Sequence, residues 1–201
     1  MRRINEITNP LKKTLFLGYD EDETSIIDSL IAKGCRVDHT KDKIQLTSRY
    51  DFAFSFGYRH IIGEDIIKSI RCPIFNLHMS YLPYNRGAHP NFWSFFDNTP
   101  SGVTIHIVDG GVDTGPIVFQ KYVNFTSEEN TFSKTYESLF NELETLFKDN
   151  LDDLLSNNWT ATEQRGAGSH HRTKDLPRNF SGWDADIKQE LQKLDAEEIQ
   201  N

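Results

Sequence analysis

Short apolar runs that end at glycine or a polar residue and then give way to helical spacing are the feature that most narrows what this chain can become. Thr14-Leu15-Phe16-Leu17-Gly18 is the first, followed by Ile26, Ile27, Leu30 and Ile31 at the spacing of a helix face. Asp51-Phe52-Ala53-Phe54-Ser55-Phe56 is the clearest strand: its aromatic-rich run stops at Gly57, and Ile62, Ile66, Ile67 and Ile70 then mark a helix. Pro73 to His78 returns to strand character. Strand, helix and strand with short connections are what a parallel sheet with crossover helices requires, so the expected class is α/β.

The remaining segments extend this reading. Cys35–Thr40 and Lys43–Thr47 are expected as short strands, Asn91–Phe96 as a short helix, and Gly102–Val108 and Ile117–Phe125 as two further strands. Glu21, Asp22 and Glu23 fall where they complement the positive end of the first helix, and Gly34 marks its stop. From Phe132 to Leu155 apolar residues recur every three or four positions, which predicts a helix covering one face of the sheet. Beyond Trp159 the composition turns to Gly, His, Arg and Pro. The expected division is therefore a domain over residues 1–158 and a C-terminal arm over 159–201, packed on the domain or on a partner subunit and ending in a surface helix.

Charge excludes one class of partner. Lys and Arg number 22 against 30 Asp and Glu, a net −8, so the surface is poorly suited to neutralising phosphates and nucleic acid is not expected as a partner. The apolar stretch near the N-terminus is too brief for a secretion signal or membrane span, which predicts a cytoplasmic location and no membrane association. Cys35 and Cys72 form no C-x-x-C pair and are expected to be buried.

Asn76 and His78 are two apart on a predicted strand, so their side chains share a face near its C-terminal end, where open α/β sheets bind ligands. Asp113, in the glycine-rich loop Asp109-Gly110-Gly111-Val112-Asp113-Thr114-Gly115, is placed to reach the same crevice. Adjacent His170 and His171 read as polar tail, not as a metal site, and no metal is expected.

Three motifs in order, Phe75 to Gly87, Ser101 to His106 and Asp109 to Ile117, resemble the folate-dependent formyltransferase family, whose pattern N-x-H-x-S-x-L-P-x-x-R-G is filled by Asn76, His78, Ser80, Leu82, Pro83, Arg86 and Gly87. The resemblance is strong from about Asp51 to Gln120. It implies a Rossmann-like, mostly parallel sheet, 10-formyltetrahydrofolate as co-substrate, and Asn76, His78 and Asp113 as the catalytic set. Asn76 would donate a hydrogen bond to the oxyanion formed when an amine attacks the formyl carbon, and His78 would move the proton. Asp113 would orient the imidazole, favour its charged form or hold a bridging water. The folate would lie over Phe56, Gly57, Tyr58, His60 and Ile61 and over Asp109, Gly110 and Gly111; the other reading of the first group is that it caps the next helix.

The resemblance also bears on the acceptor. Glycinamide ribonucleotide enzymes carry a small phosphate-binding turn after the first strand, whereas this chain has the acidic Tyr19-Asp20-Glu21-Asp22-Glu23. Methionyl-tRNA enzymes add a C-terminal β domain and basic surface, for which there is little chain after Trp159. Met79 to Phe95 looks like the nucleotide-sugar N-formyltransferases of surface-polysaccharide synthesis, so the expected acceptor is a dTDP- or UDP-linked 3-amino or 4-amino sugar, and a homodimer is in keeping with that group. Tyr81, Asn85, Arg86 and Trp93 are the candidate acceptor contacts; for Arg86 the alternative is a buried structural cation, and for Trp93 it is packing. The glycinamide ribonucleotide reading and a folate-binding module without turnover remain as alternatives.

Overall fold

A computed structural model describes residues 1–45 and 50–198. In chain order its elements are β1 (Arg2–Arg3), β2 (Lys12–Gly18), α1 (Ile26–Ala32), β3 (Cys35–Thr40), β4 (Phe52–Phe56), α2 (Glu64–Ile70), β5 (Ile74–His78), β6 (Arg86–Gly87), α3 (Pro90–Phe96), β7 (Gly102–Ile107), β8 (Ile117–Tyr122), α4 (Phe132–Asp149), α5 (Leu151–Ser156), β9 (His170–His171) and α6 (Ile187–Glu198). Seven strands form one sheet in the order β1-β3-β2-β4-β5-β7-β8. β3, β2, β4 and β5 run parallel, and β1 is antiparallel at the edge. Val108 N donates to Ile74 O at 2.8 Å, so the end of β7 lies beside the start of β5 and the two run antiparallel. The α/β class and the strand–helix–strand order agree with the sequence reading.

The chain divides into two compact units, the first made of Met1–His78, Ile105–Phe119 and Glu144–Gln164, the second of Met79–Thr104, Gln120–Leu143 and Arg165–Asn201. In the first, strand alternation sorts the core by face. Leu15, Leu17, Ala53 and Ile74 pack with Ile70 and Ile67 of α2. On the other face Phe54 stacks on Phe75 at 5.5 Å, with Phe147 edge-on to Phe54 at 5.2 Å and Trp159 edge-on to Phe75 at 5.3 Å. Cys35 is buried in β3 as expected, whereas Cys72 is only partly buried; the desolvation it does undergo pushes its thiol up to about 11.

The second unit has its own core of Phe92, Trp93, Phe132, Ile187 and Leu194, with Phe95, Phe96, Leu176, Phe180 and Leu191 against it. Residues from the stretch beyond Trp159 thus supply much of this core, and α6 presents Ile187 and Leu194 to it.

Several expectations need correction. The long apolar periodicity from Phe132 is two helices, interrupted at Asn150, whose Nδ2 donates to Leu146 O at 2.8 Å. Chain 43–45 forms no strand, and Leu46 and Thr47 lie outside the described residues. β8 ends at Tyr122, short of Phe125. Glu21 and Glu23 precede α1, within the expected placement, and their ion pairs are with Arg2 and Lys41. Asp28 lies in the first turn of α1, and Glu144 of α4 adds a carboxylate at its start, accepting from Thr24 Oγ1 at 2.6 Å, from Ser25 N at 2.8 Å and from the Ser25 hydroxyl. Burial raises this carboxyl, but the hydrogen bonds from Ser25 and Thr24 outweigh it and hold it below the ordinary range.

Candidate active site

The catalytic candidates all belong to the first unit, and the structure brings them together. Asn76 and His78 project from the same face of β5 near its C-terminal end. Asp113 sits in the loop after β7 with φ +52°, a left-handed conformation that short polar residues tolerate best. Asn76 Nδ2 donates to Asp113 Oδ1 at 3.0 Å. His78 Nδ1 lies 3.7 Å from Asp113 Oδ2, the range of an ion pair and beyond that of a hydrogen bond.

The sequence reading missed a fourth member, His106. Its side chain is only 2% exposed; Nε2 lies 3.2 Å from Asn76 Nδ2 and 3.3 Å from Asp113 Oδ1. Nδ1 lies 3.0 Å from the carbonyl of Ile107, which can only accept, so Nδ1 carries a proton and donates. Nε2 then faces both Asn76 Nδ2, from which it accepts, and Asp113 Oδ1, so the ring sits against both side chains. A signal was present in the sequence, since His106 lies on the predicted strand feeding the Asp109 loop, inside a motif that already suggested the family.

The loop between β7 and β8 is built to hold Asp113. Asp109 Oδ1 accepts Gly111 N at 2.9 Å and Thr114 Oγ1 at 2.6 Å, which folds the loop on itself. Gln164 Nε2 donates to Asp113 O at 2.9 Å and Gly115 O at 2.8 Å. A Cβ at Gly115 would stand 1.8 Å from Ile107 O, so the position excludes any side chain. Asp109 is a loop-building residue by these contacts, and Gly110 lies against α2, where a Cβ would meet Glu64 Oε1 at 3.1 Å.

Of the residues expected to contact folate, Phe56 is buried in β4 and Gly57, at φ +68°, packs against the Tyr19 ring so closely that a Cβ would come within 2.4 Å. Tyr58 donates to Asp42 O at 2.8 Å and accepts Ile44 N at 3.0 Å, so its hydroxyl ties down the 42–44 segment and only its ring is available to a ligand. His60 stands edge-on to Tyr58 at 5.3 Å, and Ile61 is 79% exposed. An open cleft of about 720 Å³ is bordered by Ile44, Tyr58, Ile61, Gly63 and Ile66. Lys43, Gln45, Asp65 and Ser69 complete its lining, and this mixture of apolar and polar side chains suits a flat heteroaromatic ligand with hydrogen-bonding edges. Among the described residues no group of three or more His, Cys, Asp or Glu is placed to hold a metal ion, and no helix is long and apolar enough to cross a membrane.

The acceptor candidates lie in the second unit. Asn85 is fully buried and held by hydrogen bonds to Thr99 and Ser169. Arg86 forms β6, paired with His170 of β9. Trp93 is buried and stacks on His171 at 3.9 Å, and His171 Nε2 lies 2.9 Å from Asp97 Oδ2. Tyr81 stacks on Tyr122 at 3.6 Å; burial, then the hydrogen bond with Tyr122, pushes its phenol up to about 12. Tyr122 is 57% exposed.

Comparison with known proteins gives this geometry a setting. Residues 29–148 match the family described as formyl transferase. A dTDP-4-amino-4,6-dideoxyglucose formyltransferase of Mycobacterium bovis is 30% identical over 141 residues, 70% of this chain and 59% of that protein. The chain thus spans a little under three fifths of the length of that relative. A methionyl-tRNA formyltransferase of Thermodesulfovibrio yellowstonii is 38% identical over 81 residues, 40% of this chain and 26% of its own. The crystal structure of the formyltransferase PseJ from Anoxybacillus kamchatkensis, in complex with UDP-4,6-dideoxy-4-formamido-L-AltNAc and tetrahydrofolate, is 37% identical with a TM-score of 0.80, covering 88% of this chain and 96% of that one.

Proposed function

The chain belongs to the formyl transferase family, and from that premise we propose that it moves a formyl group from 10-formyltetrahydrofolate to the 4-amine of a nucleotide-linked 4-amino-4,6-dideoxyhexose. Two relatives support this acceptor: the mycobacterial protein is named for a dTDP-linked 4-amino-4,6-dideoxy sugar, and PseJ was crystallised with a UDP-linked 4-formamido one. The greater likeness to PseJ favours UDP as the nucleotide. The observation that carries the reading is the cluster of Asn76, His106 and Asp113 within 3.3 Å of one another, with His78 beside it.

The folate supplies an activated formyl carbon. In the transfer the amine nitrogen bonds to that carbon, the carbon's bond to the folate nitrogen breaks, and one proton passes from the amine to the folate nitrogen. His78 takes the proton from the amine and returns it to the leaving nitrogen, with Asp113 stabilising the imidazolium in between. Asn76 has two amide hydrogens. One is directed at Asp113 Oδ1 and the other toward His106 Nε2 in this structure; the second is the one that would turn to the oxyanion. His106 is thereby a positioning residue. The cleft beside Tyr58 and Ile61 would hold the aromatic part of the folate, and Tyr81 and Arg86 are retained as acceptor contacts, whereas Asn85 and Trp93, both buried and engaged with Ser169 and His171, serve packing instead.

In this reading residues 1–158 carry the chemistry and the arm from 159 to 201 supports the acceptor region. The enzyme works in the cytoplasm as a homodimer, and its product feeds a surface polysaccharide. The test is release of tetrahydrofolate and gain of one formyl group by mass spectrometry across UDP- and dTDP-linked 3-amino and 4-amino sugars. Turnover with the UDP-linked 4-amino sugar that disappears in His78→Ala is the expected result. Turnover with glycinamide ribonucleotide alone would replace the sugar assignment, and folate binding without turnover on any amine would mark a binding module.

A further inference from the structure

The loop from Leu82 to Ala88 has almost no regular structure of its own, yet Asn85 holds a left-handed φ of +55° and Gly87 one of +86°. Gln120 Nε2 and Ser80 Oγ hold its start, donating to Leu82 O and Tyr84 O at 2.8 Å each, and chain about eighty residues away fixes the rest. Ser169 N donates to Pro83 O at 3.2 Å, Arg86 N donates to Ser169 O at 3.0 Å, and Ala88 N donates to His171 O at 2.9 Å. The Ser169 hydroxyl uses both its capacities on one residue, accepting from Asn85 N at 2.8 Å and donating to Asn85 Oδ1 at 3.0 Å. Asn85 Nδ2 in turn donates to Thr99 Oγ1 at 2.8 Å.

The approach is so close that both sides need glycine. A Cβ at Gly168 would stand 2.4 Å from Pro83 O, and one at Gly87 would stand 2.3 Å from His171 O. Beyond Ser169 the segment is anchored by the His171 ring, stacked on Trp93 with the two planes 6° apart. Arg86 is therefore flanked on both sides by backbone whose course is set from outside its own loop.

We propose that Gly168–His171 is a strap that positions the acceptor-binding loop, with Ser169 as a specificity-determining positioning residue acting through Asn85 on Arg86. This rests on the sugar-acceptor reading above. Ser169 does not touch the reacting atoms; it holds the loop in the one conformation that presents Arg86 to the acceptor. Its loss should weaken acceptor recognition and leave the chemical step and folate binding intact.

The test uses the full chain with the amino-sugar nucleotide the parent accepts. Ser169→Ala should raise the acceptor KM about tenfold, the equivalent of one net hydrogen bond, with kcat within about twofold of the parent. Ser169→Thr, which keeps the hydroxyl, should restore KM. A second readout, independent of turnover, is amide hydrogen exchange: Arg86 and Ala88 should exchange at least about tenfold faster in Ser169→Ala, with the amides of β4 and β5 unchanged. An unchanged acceptor KM, an equal fall in kcat, or unaltered exchange at Arg86 would overturn the strap. A parent that turns over no amino-sugar nucleotide overturns the acceptor reading, and the strap's role with it.

Discussion

Two irregular loops present the candidate chemistry, and they are held in opposite ways. The loop from Asp109 to Gly115 is folded by its own residues, Asp109 Oδ1 accepting from Gly111 and Thr114 within it, while Gln164 braces its carbonyls and Asn76 and His106 meet only the Asp113 carboxylate. The loop from Leu82 to Ala88 is held mainly from outside, by Ser169 and His171. Each carries a non-glycine residue in the left-handed region, Asp113 in one and Asn85 in the other. The first turns that backbone to aim a carboxylate at Asn76 and His106; the second buries its Asn85 to hold a neighbouring arginine. A loop that must place one charged atom can be written in consecutive residues, whereas one that must hold a surface needs a distant segment.

The largest effect should come from Asp113→Asn, which keeps a residue at home in left-handed backbone and removes only the charge. Turnover should fall by about 10²- to 10⁴-fold with thermal stability near the parent's, measured by steady-state assay and melting curve. Equal turnover would reduce the carboxylate to a loop fastener. Gly115→Ala should then cost about 3 kcal/mol in urea unfolding, because its Cβ would drive into Ile107 O. Gly168→Ala should cost about 2 kcal/mol, combining a 2.4 Å approach to Pro83 O with a φ of +58°. Exchange at Arg86 and Ala88 should speed in Gly168→Ala and not in Gly115→Ala; a shared response would erase the contrast between the loops. Gln164→Ala removes two hydrogen bonds to loop carbonyls and should cost about 1.5 kcal/mol, with a smaller loss of turnover than Asp113→Asn. Thr114→Val, which deletes the bond to Asp109, should cost about 1 kcal/mol and marks the share of self-support.

The same contrast explains what was legible in the sequence. Strands β2, β4 and β5 and helices α1 and α2 follow from apolar spacing that depends only on neighbours along the chain. Asn76 and His78 share a face because they are two apart on a strand, and Asp113 falls in a loop whose glycines announce it. His106 was passed over because strand alternation gives its face, while its worth depends on β7 lying next to β5 in the sheet. Ser169 had no local signal at all: a serine in a polar stretch becomes a clamp only when folding brings Asn85 against it. Glu144 at the start of α1 is the same case, since no spacing rule links it to Thr24 across the chain. The break at Asn150 was missed because periodicity continues through it in register, so Leu151 and Leu154 still reach the core.

The left-handed backbone at Asp113 limits the alphabet at that position. Glycine, asparagine and aspartate adopt it readily, most other residues at a penalty, and only aspartate among the three brings an anion. Steric and electrostatic demands therefore select the same letter independently, leaving descendants of this gene a corridor one residue wide through which to drift without losing the proposed reaction.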